Sequence, residues 1–148
     1  MKIVRSFEDY CNEGVIRKIT PDPHRARSLL ASSDRKLRSL RLNLEKVGVT
    51  NDNANDHAES CYDILLLLVR AHLYQQGYAG SGQGAHEAEI AYLQTLHFPE
   101  TEVGFLDQLR YFRNGILYYG TTIDIEYAQT VIAFTNRMQP KLRKLLEK

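Results

Sequence analysis

The chain has 148 residues, 43% apolar and 25% charged, which suits one soluble domain (1–148) with a core of its own and excludes a disordered or fibrous chain. Its longest apolar run, Ile64 to Val69, is far too short to span a bilayer, and the start MKIVRSFEDYC lacks the apolar stretch of a signal peptide. Cys11 and Cys61 make neither a CxxC pair nor a metal-ligand spacing, so a reduced, cytoplasmic setting is expected, with no membrane partner.

Residues 1–20 read as a short helix or arm, with Phe7, Tyr10, Val15 and Ile16 available to pack. Thr20-Pro21-Asp22-Pro23 is a break and then a helix start, because Asp22 can cap and Pro23 fits the first helical position. Ala26, Leu29, Leu30, Leu37, Leu40, Leu44 and Val47 then form an amphipathic stripe that ends at Gly48. The segment from about Ala54 to Gln76 is apolar on nearly every face between Cys61 and Leu73, the pattern of a central helix packed on several sides. Tyr78 to Gly84 is glycine-rich but lacks the lysine and Ser/Thr of a phosphate-binding loop, and reads as a flexible connector. Helices follow over Ala85–Leu96 and Glu102–Tyr119, and a last one runs from the turn Thr121–Asp124 to the C-terminus, with a kink or break at Pro140. Runs of β-branched residues at period two are absent. The expected fold is all-α, a four- to five-helix, mostly antiparallel up-and-down bundle.

Charge is unevenly spread. Arg17 to Lys46 holds nine Lys/Arg against three acids, Thr50 to Asp107 nine acids against the single base Arg70, and Gln108 to the end seven bases against three acids. A basic first helix and last third could bind a polyanion. The plainer reading, a solvated face answering the acidic middle, is slightly ahead because no aromatics interleave with Arg35, Lys36, Arg38 and Arg41.

The segment Leu109–Gly120 carries the chemistry. Arg is seldom buried without a partner, so Arg110 and Arg113 among core-type residues either satisfy internal groups or line a groove that receives an anion. Arg110, Arg113 and Asn114 share one helical face, and Tyr118, five residues past Arg113, is within reach of a long guanidinium. Gly120 suits a left-handed helix end. Gly115 inside the helix costs ~1 kcal/mol relative to alanine, which close approach of another helix would repay, from this subunit or from a symmetry mate. With the aromatics Tyr111, Phe112, Tyr118 and Tyr119, this points to a twofold homodimer through this helix or the one beginning near His86. No His/Asp/Glu cluster has metal spacing, since His86-Glu87 lacks a second His four residues on, and no cofactor is expected. His57 and His97 sit at segment ends and read as solvated, while His72 reads as packed.

These residues resemble those of the HEPN family (higher eukaryotes and prokaryotes nucleotide-binding). Over most of the chain the order is similar: a basic first helix, an apolar helix with Tyr62 near its start, a Gly77-Tyr78 turn, a helix start at Gly84-Ala85-His86, and the helix carrying Leu109 and Arg113-Asn114. The resemblance implies an all-helical bundle that dimerises, with the motif residues of both subunits lining a cleft. Many members are metal-independent RNases, often toxins paired with a nucleotidyltransferase-type partner protein, and others are noncatalytic binding modules. The family's histidine position is here Tyr118, and the tyrosine that follows it in nucleotidyltransferase-regulated toxins is here Gly120, so modification at that place does not carry over. A tyrosine of ordinary pKa, ~10, is a poor general base near neutrality, although it can donate a hydrogen bond to a phosphate oxygen. The expected site is therefore Arg110, Arg113, Asn114 and Tyr118 with His86, with Arg113 and Tyr118 as the catalytic candidates. The leading function is RNA or nucleotide binding with weak or no catalysis. The alternatives are an active metal-independent endoribonuclease, with a histidine such as His86 as base, and a helical protein-interaction module.

Overall fold

The apolar run at the centre of the sequence becomes the axis of the molecule. In this computed structural model, which describes residues 5–147, that run lies in the middle of α3 (Ala54–Gln76). Cys61, Tyr62, Ile64, Leu65, Leu68, Val69, Ala71 and Leu73 are all 1% exposed or less, so the middle of α3 is covered on most sides, as so apolar a stretch must be. The helices α2 (Pro23–Lys46), α4 (Ala85–Thr95), α5 (Glu100–Tyr119) and α6 (Ile125–Leu145) all touch it, and the short α1 (Phe7–Asn12) rests on α4. The fold is an all-α bundle with six helices among the described residues. None of these helices is long and apolar enough to cross a membrane.

Local chemistry sets the helix ends. The Asp22 carboxylate accepts from the Arg25 N–H at 3.0 Å, with Pro23 opening α2 as its fixed φ allows. Ser33 faces α3 and donates its hydroxyl to the Ile64 carbonyl at 2.9 Å, so the contact stays tight without an orphaned polar group. Asp124 caps α6 by accepting from the Tyr127 N–H at 2.7 Å. Asn55 of α3 clamps the turn between α5 and α6: its side chain accepts from the Ile123 N–H at 2.7 Å and donates to the Thr121 carbonyl at 3.1 Å.

Several expectations are corrected. The glycine-rich connector begins with a strand: β2 (Tyr78–Gly80) pairs antiparallel with β1 (Ile16–Lys18), Ile16 opposite Gly80 and Lys18 opposite Tyr78. Three residues per strand are too few for an alternating pattern to register in the sequence. Gly77 makes the ribbon possible, because its φ is +86° and a Cβ there would stand 2.8 Å from the Ile19 carbonyl oxygen. The arm expected over residues 1–20 is α1 and β1 from Arg5 onward, and residues 1–4 lie outside the described residues. The motif helix starts at Glu100, not Glu102. α6 continues through Pro140, where Asn136 and Pro140 are both exposed and water can satisfy the carbonyl that proline leaves free. His57 is buried, its Nε2 3.3 Å from the Gly48 carbonyl oxygen, because the 48–53 loop folds over it.

Candidate functional site

Along α3, Tyr62, Asp63, Leu66, Leu67 and Arg70 recur at near-helical spacing and form one face. That face is the floor of a cleft of about 180 Å³, walled by Lys36 of α2, His86 of α4 and Arg113 of α5. The volume is room for roughly six waters and lies below the ~300 Å³ at which whole-ligand pockets begin, so it fits a single anionic group. A larger cavity of about 360 Å³ lies between the α4–α5 turn and the end of α6, but its polar chemistry centres on one ion pair, Lys141 to Glu102 at 3.0 Å.

The ion pairs define what the cleft offers. Arg70 grips Glu89 through two bonds, Nε to Oε2 at 2.6 Å and Nη2 to Oε1 at 3.0 Å, and Glu89 is 3% exposed. Arg70 is thus anchored by Glu89 while remaining on the cleft floor. Asp63 is shared: its Oδ1 lies 3.1 Å from Arg113 Nε and its Oδ2 3.9 Å from Lys36 Nζ. The Arg113 contact is close enough for an ion pair but is not aligned as a hydrogen bond, so the buried Nε–H is left unspent. The Arg113 guanidinium also lies over the Tyr62 ring, 5.5 Å from its centroid.

Two uncharged groups complete the arrangement. Tyr62 is 1% exposed and its hydroxyl is buried without a hydrogen-bond partner, a costly condition for a polar group. Burial pushes its phenol well above the usual range, with Arg110 and Arg113 opposing, so the group stays protonated and can donate. His86 is held below the ordinary histidine pKa, first by desolvation against the cleft wall and then by the Arg70, Arg113 and Arg110 charges, with Glu89 opposing. The ring is therefore neutral at pH 7 even though much of the residue is exposed.

The residues singled out from the sequence separate into two groups. Arg113 and His86 share the cleft. Arg110 lies behind it, its Nε bonded to Asp107 Oδ1 at 2.9 Å and its Nη2 4.0 Å from Glu87 Oε2. Glu87 in turn takes the Tyr10 phenol, whose pKa is pushed up to about 12 by burial and by that carboxylate. Asn114 is half-buried and outside the lining. Tyr118 is 74% exposed in the last turn of α5 and does not line the cleft. Rotation explains this: from Arg113 to Tyr118 the helix turns by about 140°, and the tyrosine follows the exposed side.

Gly115 also has a local reason in place of the second helix expected. A Cβ there would meet Thr121 Oγ1 at 2.9 Å, because the chain turns back after Gly120 and the Thr121 N–H donates to the Gly115 carbonyl at 3.2 Å. Tyr62, Lys36 and Arg70 were not site candidates from sequence. The signal that could have found Tyr62 and Arg70 is the stripe of tyrosine, aspartate and arginine at positions 62, 63 and 70 flanking the aliphatic run Ile64–Val69 of α3; Lys36, on α2, carries no such signal. Among the described residues no cluster of three or more His, Cys, Asp or Glu could hold a metal ion.

No protein-family model matches this sequence, and neither the curated proteins nor the solved structures show a significant match to it.

Proposed function

We propose that this chain is a HEPN-like domain that binds RNA or a nucleotide through a phosphate, with little or no catalysis. The observation that carries the reading is the meeting of Arg113 and His86 in one cleft that is also lined by Tyr62, whose hydroxyl is buried and unpartnered. Guanidinium recognises phosphate through paired donors, and the phenol and imidazole can add single hydrogen bonds. Fluorescence anisotropy with labelled single-stranded RNA and with a labelled nucleotide tests it. Arg113→Ala weakens binding by at least tenfold, and unchanged binding refutes the assignment.

A second reading, a metal-independent endoribonuclease, is favoured by one feature. His86 is neutral at pH 7 beside three arginines, which suits a group that accepts a proton from a 2′-hydroxyl. In this reading His86 takes the part first considered for Tyr118. RNA cleavage in excess chelator that is lost in His86→Gln and kept in Tyr118→Phe selects it over binding alone.

The exposed row Tyr111 (70%), Leu117 (50%), Tyr118 (74%) and Tyr119 (85%) supports self-association or a protein partner, such as a nucleotidyltransferase-type protein, as a further role of α5. The homodimer remains the favoured assembly, on these aromatics alone, since Thr121 already occupies the space beside Gly115. Light scattering across micromolar concentrations gives a dimer mass in this reading, and a strictly monomeric mass removes it.

A further inference from the structure

We infer that the cleft takes a terminal phosphate, a phosphomonoester dianion at an RNA end or on a mononucleotide, and that Asp63 holds its place until it arrives. The inference rests on the phosphate-binding reading above and specifies its ligand. Cations from three different helices, Lys36, Arg70 and Arg113, converge on a space the size of one anionic group. Lys36, His86 and Arg113 stand around a floor formed by α3, so a phosphate set in this space meets donors from several helices at once. Glu89 already neutralises Arg70, so with Asp63 turned away Lys36 and Arg113 leave two positive charges, which a dianion balances and the single charge of a phosphodiester does not.

Asp63 is placed as a stand-in. It rises from the floor between Arg113 and Lys36, 3.1 Å from one and 3.9 Å from the other, and its side chain is 28% exposed, so it can rotate toward solvent. The Arg113 Nε–H that Asp63 leaves unaligned and the Tyr62 O–H are buried donors without acceptors. Phosphate oxygens taking the carboxylate's place would supply them.

The test uses the full chain and short RNAs of one sequence bearing a 5′-phosphate, a 3′-phosphate or neither, alongside a nucleoside monophosphate and inorganic phosphate. Wild-type protein binds at least one phosphorylated end or the mononucleotide tenfold or more tightly than unphosphorylated RNA, and the pattern tells which source the site prefers. Asp63→Asn binds that ligand ~30-fold more tightly, the effect of removing a unit charge about 4 Å from a dianion in high dielectric. Tyr62→Phe binds it several-fold more weakly without melting lower. Equal binding of phosphorylated and unphosphorylated RNA overturns the terminal-phosphate assignment while leaving nucleic-acid binding intact. Failure to bind any of the probes overturns the underlying reading as well. Weaker binding by Asp63→Asn, with an unchanged melting temperature, overturns the stand-in role alone.

Discussion

Tyr62→Phe separates a cleft that awaits a ligand from a core that is merely well packed. The substitution keeps the ring beneath Arg113 and removes only a hydroxyl that is buried and unpartnered. Such a group costs about 1–3 kcal/mol in the unliganded protein. Deleting it also gives up the hydroxyl's own dispersion contacts, a few tenths of a kcal/mol at ~0.1–0.2 per atom pair. The net expectation is a gain of about 1 kcal/mol, or roughly 2–4 °C in melting temperature for a chain of this size. The melt belongs in phosphate-free buffer, because any anion bound only by the folded state adds stability of its own. The denaturant midpoint should rise with an unchanged slope, since the surface exposed on unfolding is the same. With a saturating phosphate-bearing ligand the gap closes, because the several-fold tighter binding by wild type returns about 1 kcal/mol to it. A melting temperature that falls by 2 °C or more in Tyr62→Phe refutes the reasoning, for it means the hydroxyl already has a partner.

Other parts of the site and its frame give further tests. Arg70→Met leaves the Glu89 carboxylate buried without its guanidinium and should cost about 3 kcal/mol, while the pair Arg70→Met with Glu89→Leu should recover most of it; urea melts of both check this. Gly115→Ala sets a helix-propensity gain of ~1 kcal/mol against crowding on Thr121 of about 1–3 kcal/mol, so the melting temperature should drop by a few degrees, and Thr121→Ala in the same chain should restore it. Burial lowers the His72 pKa, so between its depressed folded value and 6.5 the unfolded chain binds more protons. His72 therefore contributes no loss above pH 6.5, and stability falls as pH drops through 6.5 toward the folded value; in His72→Gln that acid-side loss should be shallower in melts from pH 7.5 to 5. Asn55→Ala strips the buried Ile123 N–H of its acceptor and frees the α5–α6 turn, and should lower stability by about 1–3 kcal/mol in the same urea assay.

What could be read from sequence follows from how far apart the interacting parts lie along the chain. The central helix was legible because the run from Ile64 to Val69 is apolar at every position, and the caps Asp22, Asp124 and Gly120 were legible because each acts within a few residues. The ribbon was not, because its strands lie sixty residues apart and its one strong signal, Gly77, is explained only by the Ile19 carbonyl across the pairing. The same distance governs the site. Arg113 stood out because a guanidinium in an apolar helix demands a partner, yet its partner Asp63 belongs to another helix. Tyr118 was joined to it by reach along one helix, and the helix instead carries that phenol out to solvent. Lys36 was indistinguishable from its neighbours Arg35 and Arg38, since a lysine beside a cleft and a lysine in water have the same local sequence. His86 is the informative case. The sequence places it at a helix start, but its position beside Arg113 comes from the packing of α4 on α3 and α5, which no local reading carries.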